Sequence, residues 1–390
     1  MEWSPTMSRP CLTVVLFCLF SVFCHHPQLG AYGSGKGFYE GKVGKAIVNA
    51  IRKQGGLMEE ADLISHRSTF PRPICVSYAD HEIWEAPPNG QGVGALVGLA
   101  SLATVEKITN KKIGHDDGDR KLHKADTIHS MVECMRLGFS DCRDYVCDEK
   151  FDKRADSDKD KITAKKMMDL ERITKRVQEE FDDAKANCHD KPNESSCTVS
   201  FQVVDGEGNA ISFVNSNYMG FGTGIVPAGC GFTLQNRGFG FSLEENHPNM
   251  LEPGKRPLHT IIPCLVTKGG KQNPELVYTL SNMGGNMQPQ GHMQLVVNLL
   301  KYKMDVQSAV DYPRFCIQDG SREGDVYFED GLCSAETAAK LSEMGHKIGG
   351  ASVEGWDRTL FGRAQIIQRD HNGVLWCGSD GRCDGAAAGY

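Results

Sequence analysis

The stretch that decides the fold runs Ser196-Cys197-Thr198-Val199-Ser200-Phe201-Gln202-Val203-Val204-Asp205. From Thr198 onward, apolar residues alternate with smaller or polar ones, which is typical of a β-strand with one apolar face. The next residues are Gly206-Glu207-Gly208-Asn209, and the alternation then resumes from Ala210 to Val214. This pattern predicts a β-hairpin.

Thr198 stands at the first position of that strand, directly after a polar stretch, residues 182–196, that contains no obvious core residue. Cleavage of the Cys197–Thr198 peptide bond would leave a free α-amine on Thr198. The reference pKa of such an amine, about 7.7–8.0, lies well below the value of about 10.4 for lysine. One residue would then supply both the general base and the hydroxyl nucleophile. Threonine is also common in strands, and on position alone a structural role is the stronger alternative.

The pair Gly284-Gly285 follows the apolar strand predicted at Leu276 to Ser281 and opens a predicted helix. Without a Cβ in the way, two adjacent backbone amides could point at one oxygen atom, as in an oxyanion hole. An ordinary turn between a strand and a helix is the alternative.

Helical periodicity dominates the first half of the chain and strand periodicity the second. Helices are predicted at Phe38 to Lys53, Val93 to Val105, Ala125 to Tyr145, Ala164 to Ala184, Gln288 to Lys303 and Ala335 to Met344. Further strands are predicted at Ile74 to Tyr78, Glu82 to Trp84, Ile261 to Val266, Leu276 to Ser281, Ala364 to Gln368 and Val374 to Gly378. This order fits two domains or a layered α+β sandwich.

Composition and motifs exclude several classes of protein. The 390 residues are 40% hydrophobic and carry a net charge of -7, so nucleic acid is not an expected partner. There is no GxSxG or HExxH motif, and the segment from Gly30 to Gly37 resembles a phosphate-binding loop without its final Ser or Thr. We therefore expect no cofactor and no metal.

The first residues predict a secretory signal peptide at 1–24, followed by a linker at 25–37. The apolar run from Cys11 to Cys24 is shorter than the roughly 20 residues that span a bilayer, so membrane anchoring is not expected. A wrongly assigned N-terminus is the alternative. Secretion would allow glycosylation at Asn193, in Asn193-Glu194-Ser195. The twelve cysteines after residue 24 fit either disulfides or buried free thiols.

A set of collinear segments resembles the gamma-glutamyltranspeptidase family. The small subunit of that family is matched by Thr198 to Asp205, Gly208-Asn209-Ala210, Phe221 to Val226, Gly254 to Leu258, Gly284-Gly285, Tyr312 to Phe315 and Ser379 to Tyr390. The second half of its large subunit is matched by Phe38 to Gly56, His66 to Thr69 and Pro87 to Gly92.

The resemblance implies a four-layer αββα sandwich of the N-terminal nucleophile hydrolase type, in the α+β class. It further implies cleavage between Cys197 and Thr198 into a partial large-subunit portion, 38–197, and a small-subunit portion, 198–390. The two products would stay together as a heterodimer within one domain. Thr198 would be the nucleophile, and Gly284 and Gly285 the oxyanion donors.

The same resemblance implies a substrate-binding set. Ser216 falls where the family has a hydroxyl residue near the nucleophile, and His259 and Thr260 replace the usual Ser-Ser pair. Arg237 lies in the segment that normally ends in an aspartate for the substrate α-amine, and that position here is Gly240. These departures resemble the glutathione hydrolase-like or cephalosporin-acylase-like branch.

The expected activity is that of a gamma-glutamyl hydrolase or transferase acting on a small gamma-glutamyl or acyl amide, with glutathione as the substrate that the family implies. Two alternatives stay open. One is a catalytically silent, truncated member with a binding or structural role. The other is an amide acylase without specificity for gamma-glutamyl groups, which Gly240 favours.

Overall fold

The computed structural model describes residues 35–114, 123–153, 162–187, 197–320 and 324–390. Secondary structure within these ranges is a mixture of helices and strands that follow one another along the chain. The fold is therefore of the α+β class, as expected from the sequence.

Some of the sequence predictions lie outside the described residues. They are the signal peptide at 1–24, the glycosylation site at Asn193 and residues 25–34 of the predicted linker. The last residues of that linker, Lys36 and Gly37, open a short helix.

Eleven strands and ten α-helices are found in the described residues. The strands are β1 (Ile74–Tyr78), β2 (His81–Glu85), β3 (Cys197–Val204), β4 (Ala210–Tyr218), β5 (Cys264–Lys268), β6 (Glu275–Met283), β7 (Phe315–Ile317), β8 (Val326–Glu329), β9 (Ile348–Val353), β10 (Arg363–Arg369) and β11 (Leu375–Ser379). The helices are α1 (Lys36–Tyr39), α2 (Lys42–Lys53), α3 (Glu60–Ile64), α4 (Gly92–Thr109), α5 (Ala125–Tyr145), α6 (Ala164–Met167), α7 (Leu170–Glu180), α8 (Met287–Leu300), α9 (Val306–Asp311) and α10 (Ala335–Glu343).

A six-stranded antiparallel sheet in the order β1-β2-β5-β6-β10-β11 forms the centre of the molecule. Along β6, Tyr278 and Leu280 share one apolar core with Leu99 of α4, Met135 of α5 and Val296 of α8. By length and composition α4 could cross a membrane, but 72% of it is buried inside the protein, as in a core helix. This shared core joins the portions on either side of Thr198 in one packed unit.

The β3–β4 hairpin packs on the opposite face of β6 through polar side chains. Gln202 donates a hydrogen bond to Ser281 Oγ at 2.6 Å and accepts one from Thr279 Oγ1 at 2.6 Å. Ser212 Oγ of β4 donates to the Leu280 carbonyl at 3.0 Å. The predicted hairpin is present, and hydrogen bonds dock its inner face onto the sheet.

The apolar face of the hairpin points outward. Val199, Phe201 and Val203 are 60%, 47% and 46% exposed, and the Phe201 ring stacks on Phe213 of β4 with centroids 4.6 Å apart. Each strand of this two-stranded sheet also has one edge without a partner strand among the described residues. The face that alternation identified as apolar is therefore the solvent face.

Two predicted helices are each divided in the structure. The helix predicted at Phe38 to Lys53 is interrupted at Gly41, where a Cβ atom would lie only 2.8 Å from the Gly37 carbonyl oxygen. The one predicted at Ala164 to Ala184 is interrupted at Asp169, whose side chain caps α7 by accepting from the Arg172 amide.

Ten described cysteines form no disulfide bond, so the structure favours the thiol alternative at Cys75, Cys134, Cys142, Cys147, Cys230, Cys264, Cys316, Cys333, Cys377 and Cys383. Six of them are buried, and a buried thiol packs like a small apolar side chain.

A buried ion network fixes the C-terminal segment. Asp380 accepts hydrogen bonds from Arg314 at 2.8 Å and from Arg382 at 2.9 Å, and it also accepts the Ala364 amide of β10. Burial opposes ionisation of this carboxyl group, but the two guanidinium groups outweigh it and lower the pKa of Asp380. Its charge therefore stabilises the folded state above about pH 3.9, and this contribution is lost as the pH falls through the lowered pKa.

We expect Asp380→Asn to lower the thermal unfolding midpoint strongly. Breaking a buried ion pair by removing one partner typically costs about 3–5 kcal/mol. Circular dichroism melting at pH 7 measures the loss, and the exposed Asp384→Asn serves as the control, with a change within about 0.5 kcal/mol. Equal unfolding midpoints for Asp380→Asn and Asp384→Asn would show that the ion network does not stabilise the fold.

Candidate active site

Thr198 lies almost fully buried near the start of β3, with 2% of its surface exposed. It pairs with Ser216 across the hairpin, and its Oγ1 donates a hydrogen bond to Ser216 Oγ at 3.1 Å. Ser216 Oγ in turn accepts the Tyr218 amide at 3.0 Å. The ladder shifts register between Cys197 and Thr198, at the peptide bond predicted to be cut.

The turn between β6 and α8 has the backbone geometry that only glycine adopts readily. Gly284 and Gly285 have φ angles of 134° and 59°. Their carbonyl groups accept the amides of Met287 and Gln288, which starts α8. No hydrogen bond within the described residues is donated by either glycine amide, although Gly285 is buried. Buried amides normally have acceptors, so this pair is suited to receive an oxyanion.

Gln91 connects the glycine turn to the loop before β5. Its Nε2 donates to the Thr260 carbonyl at 2.7 Å and to the Gly285 carbonyl at 3.1 Å. The Gln91 amide also donates to the His259 carbonyl at 2.9 Å. Nothing in the sequence assigns a role to Gln91, although it lies in the family-like segment Pro87 to Gly92.

Arg237 is the buried cation of this region, with 3% of its surface exposed. It begins a short 3₁₀ helix, Arg237–Gly240, and its guanidinium group lies 4.2 Å from the centroid of the Tyr218 ring. One guanidinium N–H group donates to Thr260 Oγ1 at 2.8 Å. Through Tyr218 on one side and Thr260 on the other, Arg237 joins the β3–β4 hairpin to the contacts of Gln91.

His259 is neutral in this setting. Burial and the charge of Arg237 lower its pKa well below the ordinary value. Its Nδ1 accepts the Ile261 amide at 3.3 Å, which places the ring proton on Nε2. The neutral ring places no second positive charge beside Arg237.

The predicted residues Thr198, Ser216, Arg237, Thr260 and Gly285 are thus linked by direct contacts or through Tyr218 and Gln91. Gly284 belongs to the same turn as Gly285, and His259 precedes Thr260. Their catalytic and binding roles remain predictions.

Gly240 leaves room for a larger side chain. A Cβ atom built there would meet the Leu258 carbonyl oxygen at 3.4 Å, an ordinary van der Waals contact. Its own carbonyl accepts the Asn249 side chain at 2.7 Å.

Two buried groups of side chains have the composition of metal ligands: Glu85 with Cys264 and His292, and Glu133 with His129 and His346. In the second group, the His129 nitrogens already face the Asp182 carbonyl at 2.7 Å and His346 Nε2 at 2.8 Å. These hydrogen bonds compete with metal coordination by His129.

Known proteins align with most of this chain. The glutathione hydrolase-like YwrD proenzyme of Bacillus subtilis (strain 168) is 34% identical over 355 residues, which are 90% of this chain and 62% of the relative. The oxamate amidohydrolase proenzyme of Klebsiella pneumoniae is 29% identical over 354 residues, again 90% of this chain and 62% of the relative. This chain therefore spans about three fifths of the length of these relatives.

The fold also matches a solved structure. The crystal structure of cephalosporin acylase from Bacillus halodurans superposes with a TM-score of 0.77 at 34% identity, covering 91% of this chain and 60% of that one. This match confirms the expected fold class, and together with the YwrD relative it confirms the expected branch.

The sequence profile of gamma-glutamyltranspeptidase matches residues 27–390, which is most of the chain. That range includes the hairpin, the glycine turn and the Arg237 segment. The chain therefore belongs to the gamma-glutamyltranspeptidase family.

Proposed function

We propose that this protein is the precursor of an amide hydrolase whose nucleophile, Thr198, becomes an N-terminal residue by self-cleavage. The observation that carries the proposal is the hydrogen bond between the buried Thr198 hydroxyl group and the half-buried Ser216 hydroxyl group, at the register shift beside Cys197. The relatives that are named proenzymes support it.

Cleavage begins when Thr198 Oγ1 attacks the Cys197 carbonyl carbon. The peptide C–N bond breaks, the Thr198 nitrogen takes up a proton, and an ester joins the two residues. Water then hydrolyses the ester, which leaves a carboxylate on Cys197 and a free amine and hydroxyl on Thr198. The reaction needs no external reagent except water.

In the mature site the Thr198 amine takes the proton of its own hydroxyl group as Oγ1 attacks the substrate amide carbonyl. The negative charge that develops on the substrate oxygen is received by the amides of Gly284 and Gly285. The leaving amine takes up the proton, and the acyl-enzyme ester is resolved by water or by an acceptor amine.

Arg237 supports an acyl substrate that carries a carboxylate. A guanidinium group binds carboxylates in a two-pronged geometry, and this one is buried next to Thr260. Gamma-glutamyl amides, including glutathione, satisfy this requirement. Glutaryl amides carry a carboxylate and satisfy it as well. They lack the ammonium group of gamma-glutamyl amides, but Gly240 provides no carboxylate that would bind such a group.

A binding or structural role without catalysis is the second candidate. The outward apolar face at Val199, Phe201 and Val203 favours it, because large exposed apolar surfaces commonly mark interfaces. Self-cleavage separates the two candidates, since a silent protein has no need of it. The first proposal also includes secretion of the protein.

We expect the Thr198→Ala variant to remain one polypeptide, because the attacking hydroxyl group is gone. Denaturing gel electrophoresis and N-terminal sequencing should find a fragment that begins at Thr198 in the wild type. Thr198→Ser, which keeps a hydroxyl group, is the control and should still be cleaved. Cleavage of Thr198→Ala at the same bond would point to an external protease and reject the self-processing proposal.

We expect the wild type to prefer gamma-glutamyl over glutaryl amides only weakly, and Gly240→Asp to strengthen that preference. A charge-assisted hydrogen bond contributes about 1.5–3 kcal/mol, which corresponds to a change of roughly 10- to 150-fold in the ratio of kcat/KM values. Chromogenic anilides of the two acyl groups provide the measurement.

Gly238→Asp is the matched control, since its side chain would enter open space on the same 3₁₀ helix. A strong preference for gamma-glutamyl amides in the wild type would contradict the assignment of Gly240.

A further inference from the structure

Two ionisable side chains lie between the central sheet and α8 without a part in the reaction above. Glu85 is the last residue of β2 and His292 lies in the second turn of α8, and both side chains are 0% exposed. His292 Nδ1 and Glu85 Oε1 are 2.6 Å apart. Cys264, the cross-strand neighbour of Glu85, places its sulfur within 4.8 Å of the ligand atoms of both residues.

The second ring nitrogen fixes the protonation state of His292. Its Nε2 accepts the backbone amide of Asn282 at 3.2 Å, so Nε2 carries no proton. Nδ1 therefore carries the proton and donates a hydrogen bond to Glu85 Oε1, and the imidazole is neutral. A proton on Nδ1 also opposes metal binding by Glu85, Cys264 and His292.

Asn282 lies at the end of β6, two residues before Gly284 of the glycine turn. Its Nδ2 donates to the Met287 carbonyl at 3.3 Å, and its Oδ1 accepts from Arg314 at 3.0 Å. A Cβ atom at Gly291 would lie 2.3 Å from the Asn282 side chain. This residue thus ties the end of β6 to the start of α8, and His292 holds its amide.

Glu85 also supports the loop on the other side of the turn. A Cβ atom at Gly92 would lie 2.9 Å from Glu85 Cβ and 3.0 Å from Glu85 Oε2, so the start of α4 rests directly on this side chain. The neighbouring residue, Gln91, holds the Gly285 carbonyl. The Glu85–His292 pair therefore contacts both backbone segments that fix the turn.

Complete burial beside a neutral imidazole favours the neutral acid form of Glu85. Its Oε2 has no hydrogen-bond partner in the described part of the chain, and the groups that face the carboxyl group are His292 and Cys264. A carboxylate here would be a buried charge beside a neutral imidazole. Burial likewise raises the pKa of Glu85, and it raises the pKa of the Cys264 thiol. Neutrality suits a site in which negative charge develops on the substrate.

We propose that Glu85 and His292 form an uncharged positioning pair that holds the amides of Gly284 and Gly285 in line with the substrate oxyanion. This inference rests on the proposed hydrolase function. The pair touches no substrate atom and acts through Asn282 and Gln91.

The test compares His292→Leu, His292→Gln and Glu85→Gln in the cleaved, purified protein. His292→Leu removes the acceptor of the Asn282 amide, and a displacement of about 1 Å in catalytic geometry can cost about 100-fold in rate. We expect kcat to fall about 100-fold while KM changes less than about threefold, because the oxyanion forms only in the transition state.

The conservative variants should restore activity. The His292→Gln carbonyl can accept the Asn282 amide, and Glu85→Gln keeps a neutral acceptor for His292, so both should recover at least about tenfold over His292→Leu with an unchanged pH profile. His371→Leu, at an exposed histidine, is the control. Equal kcat in His292→Leu and wild type, or loss of the acidic limb of the pH profile in Glu85→Gln, would overturn the proposal.

A measurement that needs no turnover keeps the proposal testable if a variant fails to fold or if the wild type shows no activity. The ¹⁵N resonances of the His292 ring, assigned by their loss in His292→Gln, should show a proton on Nδ1 alone, because Nε2 accepts the Asn282 amide. An imidazolium ion or an Nε2–H tautomer would reject the pair even in an active enzyme. Failure of the wild type to cleave itself or hydrolyse any amide would reject the proposed function instead.

Discussion

The hydrogen bonds of Gln202 to Ser281 and Thr279 set the relation between the two halves of the candidate site. Thr198 lies four residues before Gln202 on β3, and the glycine turn begins three residues after Ser281 on β6. Because Thr198 and Gly284 each lie within a few residues of these contacts along the chain, the contacts constrain the position of Thr198 relative to the glycine turn. Apolar packing, which is less directional, would position them less tightly.

Periodicity identified elements that carry a clear repeat and failed on elements that lack one. The helix Ala125–Tyr145 and the strand Ile74–Tyr78 have the predicted bounds, since each carries a sustained repeat that ends at turn residues. The strand Phe315–Ile317 is fully buried and does not alternate, and Ile348–Val353 contains two glycines. Neither has the pattern from which a strand is predicted, and tertiary pairing creates both.

The residues of the candidate site also differ in how far the sequence could identify them. Thr198 and the glycine pair stand at local features, a strand start and a turn, and their roles are predicted from the resemblance to the family. Gln91, Glu85 and His292 could not be assigned from the sequence, because their partners lie 169 to 207 residues away along the chain. Hydrogen bonds of this kind depend on sheet order, and sheet order does not follow from periodicity.

The outward apolar face of the hairpin has a consequence for the choice of strand register. A slip of one residue would turn Val199, Phe201 and Val203 onto the sheet and carry Thr198 to the outer surface. Burial of one such side chain contributes about 1.5–3 kcal/mol, so hydrophobic burial alone favours the slipped arrangement. The inward polar residues oppose it, because a slipped strand would leave Thr279 and Ser281 facing valine and phenylalanine. The native register is therefore selected by hydrogen-bond complementarity against the hydrophobic effect, on the strand that carries Thr198.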